Sequence, residues 1–272
     1  MVALIHYNGK IRQKEIQMKR IIAVANQKGG VGKTTTTVNL ATCLAQAGKK
    51  VLVADIDPQG NTTSGLGVDK HNVEHSIYSL LLGEAYWEQV AVSVCVEGLQ
   101  LLPANIDLSG AEIELIDHPR REYKLKEVFS HAKYLFDYIL IDCPPSLNLL
   151  TLNALCAADT VLVPIQCEYY ALEGLSQLMH TINLIKQKLN PRLMLEGVVF
   201  TMYDSRANLS AQVVDEVKAN LEAKTYKTII PRNLRLSEAP SHGLPITLYD
   251  AKSKGAEAYI QLAQEVISNN VI

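Results

Sequence analysis

Ile21-Ile22-Ala23-Val24-Ala25 leads into Asn26-Gln27-Lys28-Gly29-Gly30-Val31-Gly32-Lys33-Thr34-Thr35-Thr36-Thr37, and a helical pattern then runs to Ala47. A β-branched strand, a glycine-rich turn and a helix N-terminus, in that order, are the context of a phosphate-binding loop. Gly29, Gly30 and Gly32 let backbone N–H groups point inward without a side-chain collision, forming a nest for phosphate oxygens. The helix adds the positive end of its dipole. In such a loop Val31 and Thr35 border the anion, Lys33 bridges the β- and γ-phosphates, and Thr34 offers its hydroxyl to Mg2+. The loop departs from the ordinary G-x-x-x-x-G-K-[ST] pattern: Gln27 stands where the first glycine belongs, and Lys28 follows it. The nest does not need Lys28. A cation on the loop's outer lip can instead meet phosphates held in a facing subunit.

Outward from this loop, short apolar runs alternate with helical ones. Strands are expected at Ile21–Ala25, Val51–Asp55, Leu99–Pro103, Tyr138–Asp142, Thr160–Pro164, Leu195–Thr201 and Thr228–Ile230. Helices are expected at Thr34–Ala47, Ser109–Ile116, Tyr123–Ala132, Leu147–Cys156, Leu172–Leu189, Asn208–Leu221 and Lys254–Ser268. Near-continuous apolar strands imply burial on both faces, so the expected fold is α/β: a mostly parallel, twisted sheet with helices on both sides. No repeat and no Gly-, Ser- or Pro-rich linker divides the chain, and residues 18–272 read as one domain. Residues 1–17 show no clear periodicity and read as a disordered leader, too short for a winged or helix-turn-helix domain.

Composition narrows the classes. In 272 residues, 26 Lys and Arg oppose 28 Asp and Glu, so a partner such as nucleic acid must be met by a local basic patch. No apolar run approaches a membrane span, and Lys10, Arg12 and Lys14 interrupt any secretory signal. The five cysteines lie at least 11 residues apart, which leaves no C-x-x-C spacing and points to a reduced, cytoplasmic chain.

Two acidic motifs face the loop. Tyr138-Ile139-Leu140-Ile141-Asp142 sets a carboxylate at the end of a buried strand, where it sits beside Mg2+. Val51–Asp55 ends a second strand, and Asp57-Pro58-Gln59-Gly60 turns away from it. A carboxylate there can orient a water or hold Mg2+ through one. Asp55 is the alternative bearer, and capping of a short helix after Pro58 is the structural alternative for Asp57.

The string Lys28-Gly29-Gly30-Val31-Gly32-Lys33-Thr34 resembles the deviant Walker A box of the MinD/ParA superfamily. Asp55-Ile56-Asp57-Pro58-Gln59-Gly60-Asn61, Ile141-Asp142-Cys143-Pro144-Pro145-Ser146 and Pro231-Arg232-Asn233-Leu234-Arg235-Leu236-Ser237-Glu238-Ala239-Pro240-Ser241 narrow the resemblance to ParA/Soj-type partition ATPases. It runs from about Met18 onward. The resemblance implies a P-loop NTPase fold, ATP with Mg2+, and a weak ATPase. It implies a catalytic group of Lys28, Lys33 and Asp57, with Asp57 required for hydrolysis. Pro231 and Asn233 are implied at the adenine. It also implies an ATP-held homodimer that binds double-stranded DNA non-specifically on the nucleoid and is reset by a ParB/Spo0J-type centromere-binding partner.

Basic residues supply a candidate DNA face. Lys224, Lys227, Arg232 and Arg235 fall in a stretch without acids, Arg206 lies in a separate loop, and Lys252 precedes the last helix. Phosphate contacts need such charge but no base-edge geometry. The resemblance places Arg206 and Arg235 on that face; Arg232 and Lys252 join them by charge. Two other readings share the loop. A MinD-like, membrane-recruited ATPase needs a basic amphipathic C-terminal helix, and Ala258–Ile272 contains no Lys or Arg. An electron-transfer protein resembling the nitrogenase iron protein needs two thiolates per subunit, and only Cys143 is suitably placed. Tyr169 and Tyr170 are further candidates for the dimer contact.

Overall fold

The computed structural model describes residues 3–7, 10–14, 19–168, 171–221 and 224–269. Strand β1 (Ala3–Tyr7) pairs antiparallel with β2 (Lys10–Lys14), apart from the main sheet. The leader, expected to be disordered, thus carries paired strands. Asn8-Gly9, which separates them in sequence, is the strongest short hairpin signal, and the periodicity reading passed over it.

The main sheet has eight strands. In chain order they are β3 (Arg20–Val24), β4 (Val51–Asp55), β5 (Val92–Ser93), β6 (Leu99–Leu102), β7 (Tyr138–Asp142), β8 (Thr160–Gln166), β9 (Met194–Tyr203) and β10 (Thr225–Pro231). In space they run β10-β9-β8-β3-β7-β4-β6-β5, parallel throughout except for β5 at one edge. One face is covered by helices Lys33–Gln46 and Lys254–Ser268 through Leu40, Leu44, Tyr259, Leu262 and Val266. The other is covered by Lys124–Ala132, Leu149–Ala157, Ala171–Lys188 and Asn208–Leu221 through Phe129, Leu150, Leu178 and Val217. Fully buried central strands explain the unbroken apolar runs from which this architecture was read.

The differences from expectation have local causes. β10 is longer than Thr228–Ile230 because an edge strand alternates: Tyr226, Thr228 and Ile230 are buried while Lys227 is exposed. Its backbone is shielded by Glu265 of the last helix, which accepts from the amides of Lys227 and Thr228 at 2.9 and 2.7 Å. Several helices of four to six residues, Asn61–Gly65 and Leu234–Glu238 among them, are too short to show a period. The apolar face of helix Lys254–Ser268 is spent on the core, and no described helix is long and apolar enough to cross a membrane.

A buried ion pair pins that helix at the foot of the sheet. Val161 opposes Leu195 and Leu162 opposes Gly197, so Glu196 is the extra residue of a bulge in β9. Its Oε1 accepts from Arg20 Nη1 at 2.8 Å and from the Tyr226 hydroxyl at 3.2 Å. Arg20 also donates to Tyr138 and to the carbonyls of Val266 and Asn269, at the end of the last helix. Glu196→Ala leaves a buried guanidinium without its counter-charge and is expected to cost about 3 kcal/mol. Urea unfolding measures this; a loss below about 1 kcal/mol would show that the helix carbonyls alone satisfy Arg20.

Candidate functional site

Register brings the acidic strand ends to the phosphate loop. Val24, the last residue of β3, pairs with Asp142 of β7, and Asp142 pairs in turn with Asp55 of β4. Three loops therefore leave adjacent parallel strands at their carboxyl ends, the crevice where open α/β sheets bind ligands.

The loop after β3 is set by Asn26, a residue the sequence reading passed over. Its Nδ2 donates to Pro164 O at 2.8 Å, and its Oδ1 accepts from Lys28 N at 3.0 Å. Gln27, which replaces the expected glycine, reaches away to Thr181 at 3.3 Å. Gly30 and Gly32 take φ of 74° and 86°, the left-handed region that favours glycine. The first helical bond runs from Thr36 N to Gly32 O, so the amides of Lys33, Thr34 and Thr35 lie outside the helix ladder.

Two lysines occupy opposite environments. Lys33 is 7% exposed, and its Nζ donates to Lys28 O at 3.1 Å. Burial lowers its pKa, while Asp142, Cys143 and Asp57 pull it back up. An ammonium carries three donors, so this one retains capacity for an anion. Lys28, expected to reach toward a facing subunit, is instead paired within the chain: its Nζ lies 2.6 Å from Glu168 Oε2, with both side chains nearly half exposed. Exposed pairs of this kind contribute about 0–1 kcal/mol and exchange readily.

Asp142 is fully buried and accepts three hydroxyls. Thr34 and Thr62 donate to Oδ2 at 2.8 and 2.7 Å, and Thr37 donates to Oδ1 at 3.2 Å. Burial raises it to about 6 against the pull of Thr62 and Thr34. Asp55 is equally buried, and its oxygens are taken by Thr63 N, Thr63 Oγ1 and Asp57 N at 2.8, 2.7 and 3.2 Å. Asp55 therefore anchors the next loop. Asp57 is 9% exposed and holds Gln59 N through Oδ1 at 3.0 Å, an Asx turn, while the helix that follows starts from Gly60. The charge of Asp57 reaches both Lys33 and Asp142, and Asp57 is the acid with carboxylate capacity left over.

A cleft of about 660 Å³ continues from Gly32 and Thr35 past Thr201 and Met202 to Pro231, Arg232 and Asn233. Thr201 Oγ1 donates to Val31 O at 2.8 Å and fastens the end of β9 to the phosphate loop. Pro231 and Asn233 thus lie where a base is expected, although Asn233 Oδ1 is already engaged with Arg235 N at 2.9 Å, capping helix Leu234–Glu238. Arg232, assigned from sequence to the DNA face, lines this same cleft.

The remaining basic candidates are exposed, and both arginines sit beside acids. Arg206 forks onto Asp204 at 2.9 and 2.8 Å; this bonding holds the Asp204 carboxyl down to about 2, and Arg232 adds to the shift. Arg235 pairs with Glu238 at 2.8 Å and Asp250 at 3.5 Å, and Lys252 N donates to Asp250 Oδ1 at 3.2 Å. Cys143 corrects another expectation: it is 1% exposed, burial raises its thiol, and it faces no surface. Tyr169 and Tyr170 lie outside the described residues.

The donor set suits Mg2+. Among the described residues no three His, Cys, Asp or Glu side chains form a metal cage. Mg2+ takes one or two protein oxygens and completes its octahedron with phosphate and water. Thr34 Oγ1, its proton directed at Asp142, keeps lone pairs for such an ion.

A nested loop with a buried lysine, opposed by carboxylates on the two strands beyond, defines a phosphate-loop nucleotide-binding protein. A family described as AAA domain matches residues 19–195. The chain is 58% identical over 252 residues to the sporulation initiation inhibitor protein Soj of Bacillus subtilis, covering 93% of this chain and all of that one. It is 53% identical to the chromosome partitioning protein ParA of Myxococcus xanthus over 92% of this chain and 89% of that one. Its fold matches the crystal structure of cobyrinic acid a,c-diamide synthase from Mycobacterium smegmatis with bound ADP and magnesium: TM-score 0.80, 42% identity, 91% of this chain and 93% of that one. The chain belongs to the ParA/Soj family of partition ATPases.

The two buried carboxylates give a stability test. Asp55 is held up near 7 and Asp142 near 6, so between about pH 4 and those values the folded chain keeps protons that the unfolded chain has released. Without added nucleotide, stability should therefore fall as pH rises through this window and level off above about 7. Urea midpoints of wild type and Asp55→Asn measure it. The variant should show the shallower slope, and parallel slopes would mean that Asp55 ionises at its ordinary pKa.

Proposed function

We propose that this chain is an ATP-driven DNA-segregation switch: with ATP two copies close face to face and hold duplex DNA, and hydrolysis, stimulated by a ParB/Spo0J-type centromere-binding partner, separates them. The observation that carries the reading is that one cleft links the phosphate loop to the ends of β9 and β10, where the basic residues stand. Nucleotide binding and a cationic face then share the same loops.

Adenine enters between Pro231 and Asn233, with Arg232 at the rim, and the phosphates lie along Lys28, Gly29, Gly30, Val31, Gly32, Lys33, Thr34 and Thr35. Lys33 neutralises the β- and γ-phosphates from its desolvated position, where charge acts at short range and low dielectric. Thr34 and Asp142 would hold Mg2+, with the charge of Asp57 nearby. Bound there, the ion supplies electrostatic neutralisation of the phosphate oxygens. Asp57 orients the attacking water with the carboxylate oxygen its Asx turn leaves open. Lys28 leaves Glu168 and crosses to the partner copy's phosphates. The weakness of an exposed ion pair supports that exchange.

Arg206, Arg235 and Lys252, joined by Arg232, contact the phosphate backbone. With a chain charge of −2, one copy attracts DNA poorly, and two copies double the contacts. This reading places the protein on the nucleoid. The printed names of the Soj and ParA relatives support partition as the process.

Retention on duplex DNA with ATP, with ADP and after Lys33→Ala tests the mechanism. Wild type should be held with ATP alone, with affinity falling about 0.9 log units per log unit of salt for each phosphate neutralised. Lys33→Ala should stay monomeric and unbound. Asp57→Ala should lose hydrolysis by about 100-fold or more yet remain a DNA-bound dimer. Equal retention in all states would overturn the switch.

A further inference from the structure

Helix Asn61–Gly65 follows the Asp57 turn, and two consecutive threonines fasten it to two neighbouring strand ends. Thr63 binds Asp55 at the end of β4 through its amide and hydroxyl, and its hydroxyl accepts from Ala104 N at 2.9 Å. Thr62 binds Asp142 at the end of β7 at 2.7 Å, on the very oxygen that accepts from Thr34. Both threonines are fully buried. Their chemical situations differ. Removing Thr63's hydroxyl strips Asp55 of one hydrogen bond and leaves Ala104 N without an acceptor. Removing Thr62's hydroxyl leaves Asp142 served by Thr34 and Thr37. Without Thr62 each oxygen of Asp142 still keeps one hydroxyl. The geometric effect of the Thr62 bond is to lock the segment that carries Asp57 to the carboxylate that shares Thr34.

We propose that Thr62 is a positioning residue: through the shared oxygen of Asp142 it couples the Asp57 turn to Thr34, so that the turn responds to what the phosphate loop holds. This rests on the ATPase reading given above. Thr34 and Thr62 together fill the two lone-pair sites of a single oxygen and share its charge, so a change in how Thr34 is engaged alters the strength of the bond that holds helix Asn61–Gly65. Gly60, at φ 60°, sits under this helix with Ala104 O so close that an added Cβ would meet it at 2.8 Å. The segment has little freedom to shift except as a unit.

Thr62→Val and Thr62→Ser, measured beside wild type and Asp57→Ala, test the proposal. For Thr62→Val, kcat should fall about tenfold, the scale of one hydrogen bond to a charged group, while KM for ATP stays within about twofold. Thr62→Ser should recover most of that loss. Hydrogen exchange supplies a second readout. With Mg2+ and a non-hydrolysable ATP analogue, amides in 57–66 should become protected in wild type and Thr62→Ser, and at least about threefold less so in Thr62→Val. Wild-type rates and protection in Thr62→Val, or a Thr62→Ser as defective as Thr62→Val, would overturn the coupling. If Asp57→Ala hydrolyses ATP normally, the catalytic assignment fails instead, and the exchange data still decide whether Thr62 couples the segments.

Discussion

The carboxylate of Asp142 is the constraint on which the site depends. It lies at the end of β7, fully buried, with the ends of β3 and β4 in register on either side. A bare carboxylate there would be prohibitively desolvated, and three threonine hydroxyls from two separate chain segments offset that cost. The same bonds fix the start of helix Lys33–Gln46 and the whole of helix Asn61–Gly65 relative to the sheet. Parallel neighbours are needed for this. Only because β3, β7 and β4 all point the same way do the phosphate loop, Asp142 and Asp57 emerge at one end of the sheet.

Around that acid the protein keeps its cations in two states of solvation. Lys33 is desolvated with one acceptor, a poised charge that an anion relieves. Lys28 stays near the surface and is neutralised by Glu168, an arrangement that costs little to undo. A buried partner for Lys28 would have made the exchange expensive, because separating a buried pair leaves a charge stranded. The exposure of this pair therefore matters more than its short distance. Under the proposed dimer reading it lets the lysine change partners without disturbing the nest beneath it.

What could be read from sequence follows the range of the interaction. Central strands were legible because burial on both faces writes itself as an unbroken apolar run, and the phosphate loop because glycine spacing and the helix start are local. β10 was curtailed because its edge position writes an alternating pattern. Asn26, Thr37, Thr62 and Glu168 were missed because each acts on a group far along the chain, Thr62 on an acid 80 positions away. No local period marks a threonine as a ligand of a carboxylate. For the same reason the residues alone kept Asp55 as an alternative, and the preference for Asp57 came from the resemblance. Their hydrogen bonds differ: both oxygens of Asp55 are engaged, by Thr63 and by Asp57 N, and Asp57 keeps an oxygen to spare.

The basic face obeys a related logic. Arg206, Arg235 and Lys252 are exposed, and the carboxylates of Asp204, Glu238 and Asp250 stand close beside them. Such neighbours weaken the field at a distance, since Arg206 with Asp204 and Arg235 with Glu238 form dipoles that solvent and salt screen within about 10 Å. The fork on Asp204 also aligns the planar guanidinium of Arg206 and leaves one of its edges open. If this is the DNA face, as proposed, such a surface would attract DNA feebly from afar yet make ordered contacts once pressed against it. Under the proposed dimer reading that combination is what a switch requires. Affinity that arises from few, short-range contacts is nearly absent in one copy and accumulates when two copies present their contacts together. A uniformly basic chain would stay on DNA in every nucleotide state, and ATP would have nothing left to control.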